Sequence, residues 1–238
     1  STASDPLRFI HRRSCNADDR PPGITVDTLV LHYTGMRDGD AALERLCDPA
    51  AKVSAHYLVE EDGTVVSLVP DELRAWHAGV SWWRGRANLN DVSIGIEIVN
   101  PGHEWGYRDF LPEQMAAVAD LARKLIDRWR IAPWNVVAHS DIAPTRKEDP
   151  GERFDWESLA RRGIGTWPPV NPTGSPTSGD PRPLLRRIGY PLEEEGSPLE
   201  RSIIAFQRRF LPGSLGCGSD AATLERLTEV AALYPPWM

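Results

Sequence analysis

The chain has 238 residues, 41% of them hydrophobic and 26% charged; this is ordinary for a soluble globular protein and suits one sizeable domain or a medium one with a small companion, domains usually running to about 100–200 residues. Lys and Arg number 27 against 34 Asp and Glu, a formal charge of −7 with no basic, aromatic-interleaved stripe, which argues against nucleic acid as the partner. No run approaches the roughly 20 consecutive apolar residues that a membrane-spanning helix needs, and the odd, widely spaced Cys15, Cys47 and Cys217 supply neither a disulfide framework nor a CxxC metal knuckle.

In chain order, the start at Ser1 without Met or an apolar leader reads as a trimmed or processed form whose targeting segment is not visible. Thr28 to Thr34, ending at Gly35, predicts a buried strand. Ala55 to Glu60 and Thr64 to Val69 flank Glu61-Asp62-Gly63, a hairpin signal, and Ser93 to Val99 predicts another strand. Pro112 to Trp129 sets Met115, Val118, Leu121, Ala122, Leu125, Ile126 and Trp129 at helical spacing behind a first-turn Pro. Asn135 to His139 follows as a strand. The run from Pro168 to Pro183 is rich in Pro, Gly, Ser and Thr and loses all apolar periodicity, so it reads as a linker. Beyond it, short helices are expected near 182–189, 198–210 and 220–233, with too small a core for more than a satellite domain. Residues 182–238 hold seven basic and seven acidic side chains, so the net charge of −7 lies in residues 1–181. Strands alternating with helices predict an α/β class: a central mixed β-sheet flanked by helices, with a small C-terminal α-helical part.

His32 and His139 each end a predicted strand, where α/β sheets open their sites. Asp149 follows ten residues after His139, in a loop. Two imidazoles and a carboxylate make a three-ligand zinc site with its fourth position open for water; the alternative is that both histidines are satisfied by hydrogen bonds at strand ends. Glu97 interrupts an apolar strand, so it is either at a solvated sheet edge or held as a general base. Lys147, two residues before Asp149, either stabilises an oxyanion or solvates a charged loop. His56, inside an apolar strand, reads as structural. Three tryptophans, Trp76, Trp82 and Trp83, crowd around His77, as in an aromatic-lined cleft.

The segments Leu31 to Thr34, Ser54 to Tyr57, Ala75 to Gly79, Asn90 to Glu97, Val137 to Pro144 and Arg146 to Gly151, in that order, resemble the zinc-dependent N-acetylmuramoyl-L-alanine amidases of the AmpD and AmiD type, relatives of peptidoglycan recognition proteins. The resemblance spans roughly residues 7–167. It implies one zinc ion per chain on His32, His139 and Asp149, with Glu97 and Lys147 catalytic and Trp76, His77, Trp82 and Asn90 along the substrate cleft. The implied reaction is cleavage of the amide between the lactyl group of N-acetylmuramic acid and L-alanine of the stem peptide. Residues 182–238, through Ile203 to Phe210 and Thr223 to Leu227, resemble small helical peptidoglycan-binding domains. The plan is then a catalytic domain over 1–167, a linker over 168–181 and a wall-binding-like domain over 182–238, closest to the two-domain AmiD branch. That branch implies a periplasmic, outer-membrane-associated protein anchored through an N-terminal segment that this chain does not contain. The rivals are a peptidoglycan recognition protein that binds muropeptides without cutting them and a cysteine hydrolase; none of the three cysteines sits in a nucleophile motif.

Overall fold

The computed structural model describes residues 7–169 and 178–237. The chain divides into two compact units, one of Ser1–His77 with Asn90–Ile131, the other of Ala78–Leu89 with Ala132–Met238.

In the first unit the strands Phe9–His11, Val65–Ser67, Tyr57–Val59, Ser93–Ile98 and Thr28–Tyr33 lie side by side in that order. Tyr57–Val59 and Val65–Ser67 are antiparallel, as the Glu61-Asp62-Gly63 signal predicts, and the other pairs are parallel, so the sheet is mixed. Ser93–Ile98 is interior, bonded on one side to Thr28–Tyr33 and on the other to Tyr57–Val59. This removes the solvated-edge reading of Glu97. Its Ile94, Ile96 and Ile98 are wholly buried. Residues paired in register share a face, so His32, Glu97, Leu58 and Val66 form one row across the sheet.

The helix Pro112–Trp129 buries Ala117, Val118, Leu121, Ala122 and Leu125 along one stripe. Its Gln114 is buried too, because Nε2 donates to the carbonyls of Val59 (3.3 Å) and Val99 (2.8 Å) and so ties the first turn to two strand ends. The helix Gly39–Cys47 was not predicted, although its signals are present. Asp38 caps it by accepting from Ala41 N, and Ala42, Leu43 and Leu46 pack with Leu58, Val66 and Val99.

In the second unit the strand Val136–Ala138 runs straight into the short helix His139–Ile142. The helices Arg182–Ile188, Leu199–Phe210 and Ala221–Ala232 lie where the periodicity places them. They bury Leu185, Ile188, Phe206, Leu227 and Val230, and they also pack on other parts of the unit. Tyr190 meets the edge of Trp83 at 5.2 Å between ring centroids, Phe210 packs on Trp167 at 5.8 Å, and Arg84 donates to the carbonyls of Ile188 and Pro235. The predicted linker 168–181 falls in part, at residues 170–177, outside the described residues.

Candidate active site

His32 stands near the end of Thr28–Tyr33, buried, and its Nε2 lies 3.0 Å from His77 Nδ1. The other nitrogen of His77 is 3.1 Å from Ser93 Oγ, and the His77 backbone N–H donates to Asn90 Oδ1 at 3.1 Å. The base of the His77 ring sits against the strand at Gly95, where an added Cβ would come within 2.5 Å of His77 Cγ. Only a residue without a side chain fits there. The His77 ring thus packs against His32, and Asn90 holds its backbone. Trp76 is half-buried, with its indole N–H donating to Asp18 at 3.2 Å. Trp82 stands half-buried in the short hairpin Trp82–Trp83 with Arg86–Ala87.

Glu97 is the register partner of His32 on the next strand, which sets the two backbones about 4.8 Å apart. His56 is structural, as expected: Gly95 N–H donates to its Nδ1 at 3.0 Å, its Nε2 faces Leu73 O at 3.1 Å, and burial pushes its pKa down to about 3.

In the second unit His139 opens the helix His139–Ile142, and the Ser140 N–H donates to the carbonyl of Asp149 at 3.0 Å, tying the Asp149 loop to that helix. His139 Nε2 is 3.1 Å from Ala78 O, and Nδ1 is 3.0 Å from Asp149 Oδ2. The carbonyl and the carboxylate both only accept, so either neutral tautomer of His139 leaves one ring nitrogen facing an acceptor. Two acceptors this close repel unless a proton or a cation lies between them. Lys147 is half-buried in the same loop, its backbone N–H bonded to Ala143 O.

Two supporting residues went unmarked in the sequence. Arg146 donates to the carbonyls of Ala78 (3.0 Å) and Val80 (2.5 Å), holding the loop whose Ala78 carbonyl faces His139; burial lowers its pKa. Asp141, wholly buried, accepts from Ala138 N–H at 2.9 Å and closes the turn ahead of His139. The spacing of Asp141 from His139 in a strand-to-helix turn could have suggested this cap.

His139 and Asp149, both buried, bring an imidazole nitrogen and a carboxylate oxygen together in the second unit, and His32 offers a buried imidazole in the first. Two imidazole nitrogens and one carboxylate are a donor set that suits zinc.

Residues 22–152 match the N-acetylmuramoyl-L-alanine amidase family. The chain belongs to this family. It is 40% identical over 222 residues to the N-acetylmuramoyl-L-alanine amidase AmiD of Escherichia coli K12, covering 83% of this chain and 79% of that protein. Among solved structures, E. coli AmiD in complex with the substrate anhydro-N-acetylmuramic acid-L-Ala-D-γ-Glu-L-Lys superposes with a TM-score of 0.79 at 37% identity, over 91% of this chain and 93% of that one. AmpDh3 of Pseudomonas aeruginosa in complex with anhydromuramic pentapeptide gives 0.80 at 33% identity, over 93% and 98%. The expected class, a mixed sheet flanked by helices with a helical C-terminal part, is the fold of this amidase family. His32, Glu97, His139, Lys147 and Asp149 all lie within the matched stretch of the amidase, whereas Tyr190 and Arg209 lie beyond it.

Proposed function

We infer that this amidase hydrolyses the amide between the lactyl group of N-acetylmuramic acid and L-alanine in peptidoglycan or its muropeptides, with one zinc ion held by His32, His139 and Asp149. The observation that carries the zinc reading is His139 Nδ1 lying 3.0 Å from Asp149 Oδ2, both residues buried, while its Nε2 faces the carbonyl of Ala78. When bound, zinc supplies Lewis acidity, bringing water near its ionisation at neutral pH and polarising the amide carbonyl. The residues of the chain supply the rest. Glu97, beside His32 in register, takes the proton of the attacking water and delivers it to the departing L-alanine nitrogen. Lys147 stabilises the negative charge that develops on the carbonyl oxygen. Trp76, Trp82, His77 and Asn90 belong to the walls and supports of the substrate site. No side-chain nucleophile takes part.

The rival reading, a recognition protein that binds without cutting, is disfavoured by the presence of all three ligand residues and of a carboxylate in register with His32. The test is metal analysis with a cleavage assay on a defined anhydro-muropeptide. Wild-type protein is expected to carry one zinc per chain, to lose turnover with a chelator and to regain it with zinc; Glu97→Gln is expected to keep the metal and lose roughly 10²- to 10⁴-fold in kcat. Full turnover in persistently metal-free protein would refute the reading. The same proposal includes a periplasmic, outer-membrane-associated location, an anchor ahead of Ser1 and wall binding by residues 182–238, to be checked by cell fractionation and by sacculus pull-down.

A further inference from the structure

The strongest feature outside the ligand group is a buried ionic cluster contributed by the C-terminal helices. Asp141, three residues into the turn that launches His139, is wholly buried. Its Oδ2 accepts from Arg209 Nη1 at 2.6 Å as well as from Ala138 N–H, and its Oδ1 accepts from the Tyr190 hydroxyl at 2.6 Å. Arg209 reaches back with its second terminal nitrogen to Val136 O at 3.0 Å, and its guanidinium lies over the Trp156 ring at 4.0 Å. Val136 O, Arg209, Asp141 and Ala138 N therefore form a closed ring of hydrogen bonds around the strand-to-helix turn, and His139 is the next residue along the chain.

We propose that Arg209 and Tyr190 are positioning residues of the metal centre: through Asp141 they fix the turn at Val136–His139 and so set the direction of His139 Nδ1. This rests on the zinc reading above. It gives residues 182–238 a part in the chemistry that a tethered wall-binding domain would not have.

Several features favour positioning over simple packing. A buried carboxylate is satisfied by any well-placed partners, yet here the partners close on the Val136–Val137 and Val137–Ala138 peptide groups, one residue short of His139. The guanidinium is used as a two-pronged bridge, one prong to the carboxylate and one to the carbonyl, which a lysine cannot reproduce. The Asp149 loop is bonded to the same short helix through Ser140 N–H, so a shift of the turn moves both second-unit ligands. Groups that orient metal ligands typically cost 10- to 100-fold in metal affinity when removed. Arg209 acts one step further out, so the lower end of that range is expected.

The test uses the full chain. Zinc affinity is measured by competition with a chromophoric chelator, well below the thermal midpoint of each metal-free protein, for wild type, Arg209→Met, Arg209→Lys and Tyr190→Phe. The expected result is about tenfold weaker zinc binding for R209M, an intermediate loss for R209K, and a smaller loss for Y190F, which keeps the ion pair. If R209M does not fold, the pair R209M with Asp141→Asn removes both buried charges while keeping an oxygen for Ala138 N–H, and it too is expected to bind zinc more weakly than wild type. Variants that fold and bind zinc as tightly as wild type, differing only in thermal midpoint, would reduce the cluster to packing and overturn the inference. A wild-type chain that binds no zinc would overturn the zinc reading itself, a separate and earlier failure.

Discussion

Gly95→Ala is a small change with a calculable consequence. Gly95 lies on the interior strand with ordinary extended backbone, so alanine meets no conformational penalty there and even restricts the unfolded chain, an effect of about 0.4–1 kcal/mol in favour of folding. Against this, the new methyl would stand 2.5, 2.6 and 2.7 Å from Cγ, Nδ1 and Cδ2 of His77. Ordinary carbon contacts are about 3.5–4.0 Å, so the ring has to retreat by roughly 1 Å. The atoms struck are at the base of the ring, not at a flexible tip, and His77 is held by its backbone bond to Asn90 and by its ring bonds to His32 and Ser93. Overpacking of a close-packed site costs about 1–3 kcal/mol, and loss of the His32–His77 bond adds about 1 kcal/mol. A net loss of about 1–3 kcal/mol remains, which for a domain of this size lowers the thermal midpoint by roughly 3–10 °C. Because the retreating ring is the support of His32, zinc affinity is expected to fall by about 10- to 100-fold. Calorimetry and chelator competition measure the two effects. The decisive control is His77→Ala, in whose background Gly95→Ala should cost little, a coupling that a double-mutant cycle reads directly. Wild-type stability and zinc affinity in G95A, or full additivity with H77A, would refute the steric argument.

Other expectations follow from the same geometry. His56 is held neutral, with its pKa pushed down to about 3 from an ordinary 6.5, so the unfolded chain binds a proton at pH values where the folded chain does not. Its contribution to stability is therefore complete above pH 6.5 and is lost as pH falls from 6.5 toward 3, at up to about 1.4 kcal/mol per pH unit; metal-free His56→Gln should show a shallower decline of the urea midpoint over that window, and an unchanged slope would count against a buried neutral His56. A chain ending at Trp167 loses both Arg209 and Tyr190 from Asp141 and uncovers Trp83, so it is expected to melt lower and bind zinc more weakly than the full chain; unchanged values would show that the tail is dispensable to the centre.

The parts of this fold that were legible in the sequence are those whose signal is local. The helix Pro112–Trp129, the hairpin around Glu61-Asp62-Gly63 and the strands leading to His32 and His139 each carry their own periodicity or turn chemistry, and the structure forms them within a residue or two of the expected ends. Strands of two or three residues, such as Leu73–Ala75 and Trp82–Trp83, are too short for alternation to register, and their partners Ala17–Asp19 and Arg86–Ala87 are equally short. The oddity of Glu97 was visible as a carboxylate among isoleucines, but its meaning was not. Only the parallel register, which sets it opposite His32, separates a held carboxylate from a solvated edge. His77 was read as a cleft residue because tryptophans surround it in the sequence; its bond to His32 spans 45 positions, and no local pattern announces it. The basic residues of the tail likewise showed in the sequence only as seven charges balanced by seven acidic ones. Arg209 is nonetheless buried, since its counter-charge stands 68 positions away.

The two histidine ligands are prepared by the same physical device from different materials. An imidazole can direct one nitrogen to a cation only if the other is engaged, because the second hydrogen bond fixes both the tautomer and the ring rotation. For His32 that engagement is a neighbouring imidazole, His77, itself seated over Gly95 and anchored by Asn90 and Ser93. For His139 it is a backbone carbonyl, Ala78 O, held in place by Arg146, while the turn beneath the residue is locked by Asp141 and Arg209. The two sets share no residue. Each ligand is thus oriented by its own unit before a third group is considered, and the cost of arranging the donors is met during folding rather than at the moment a metal ion is taken up.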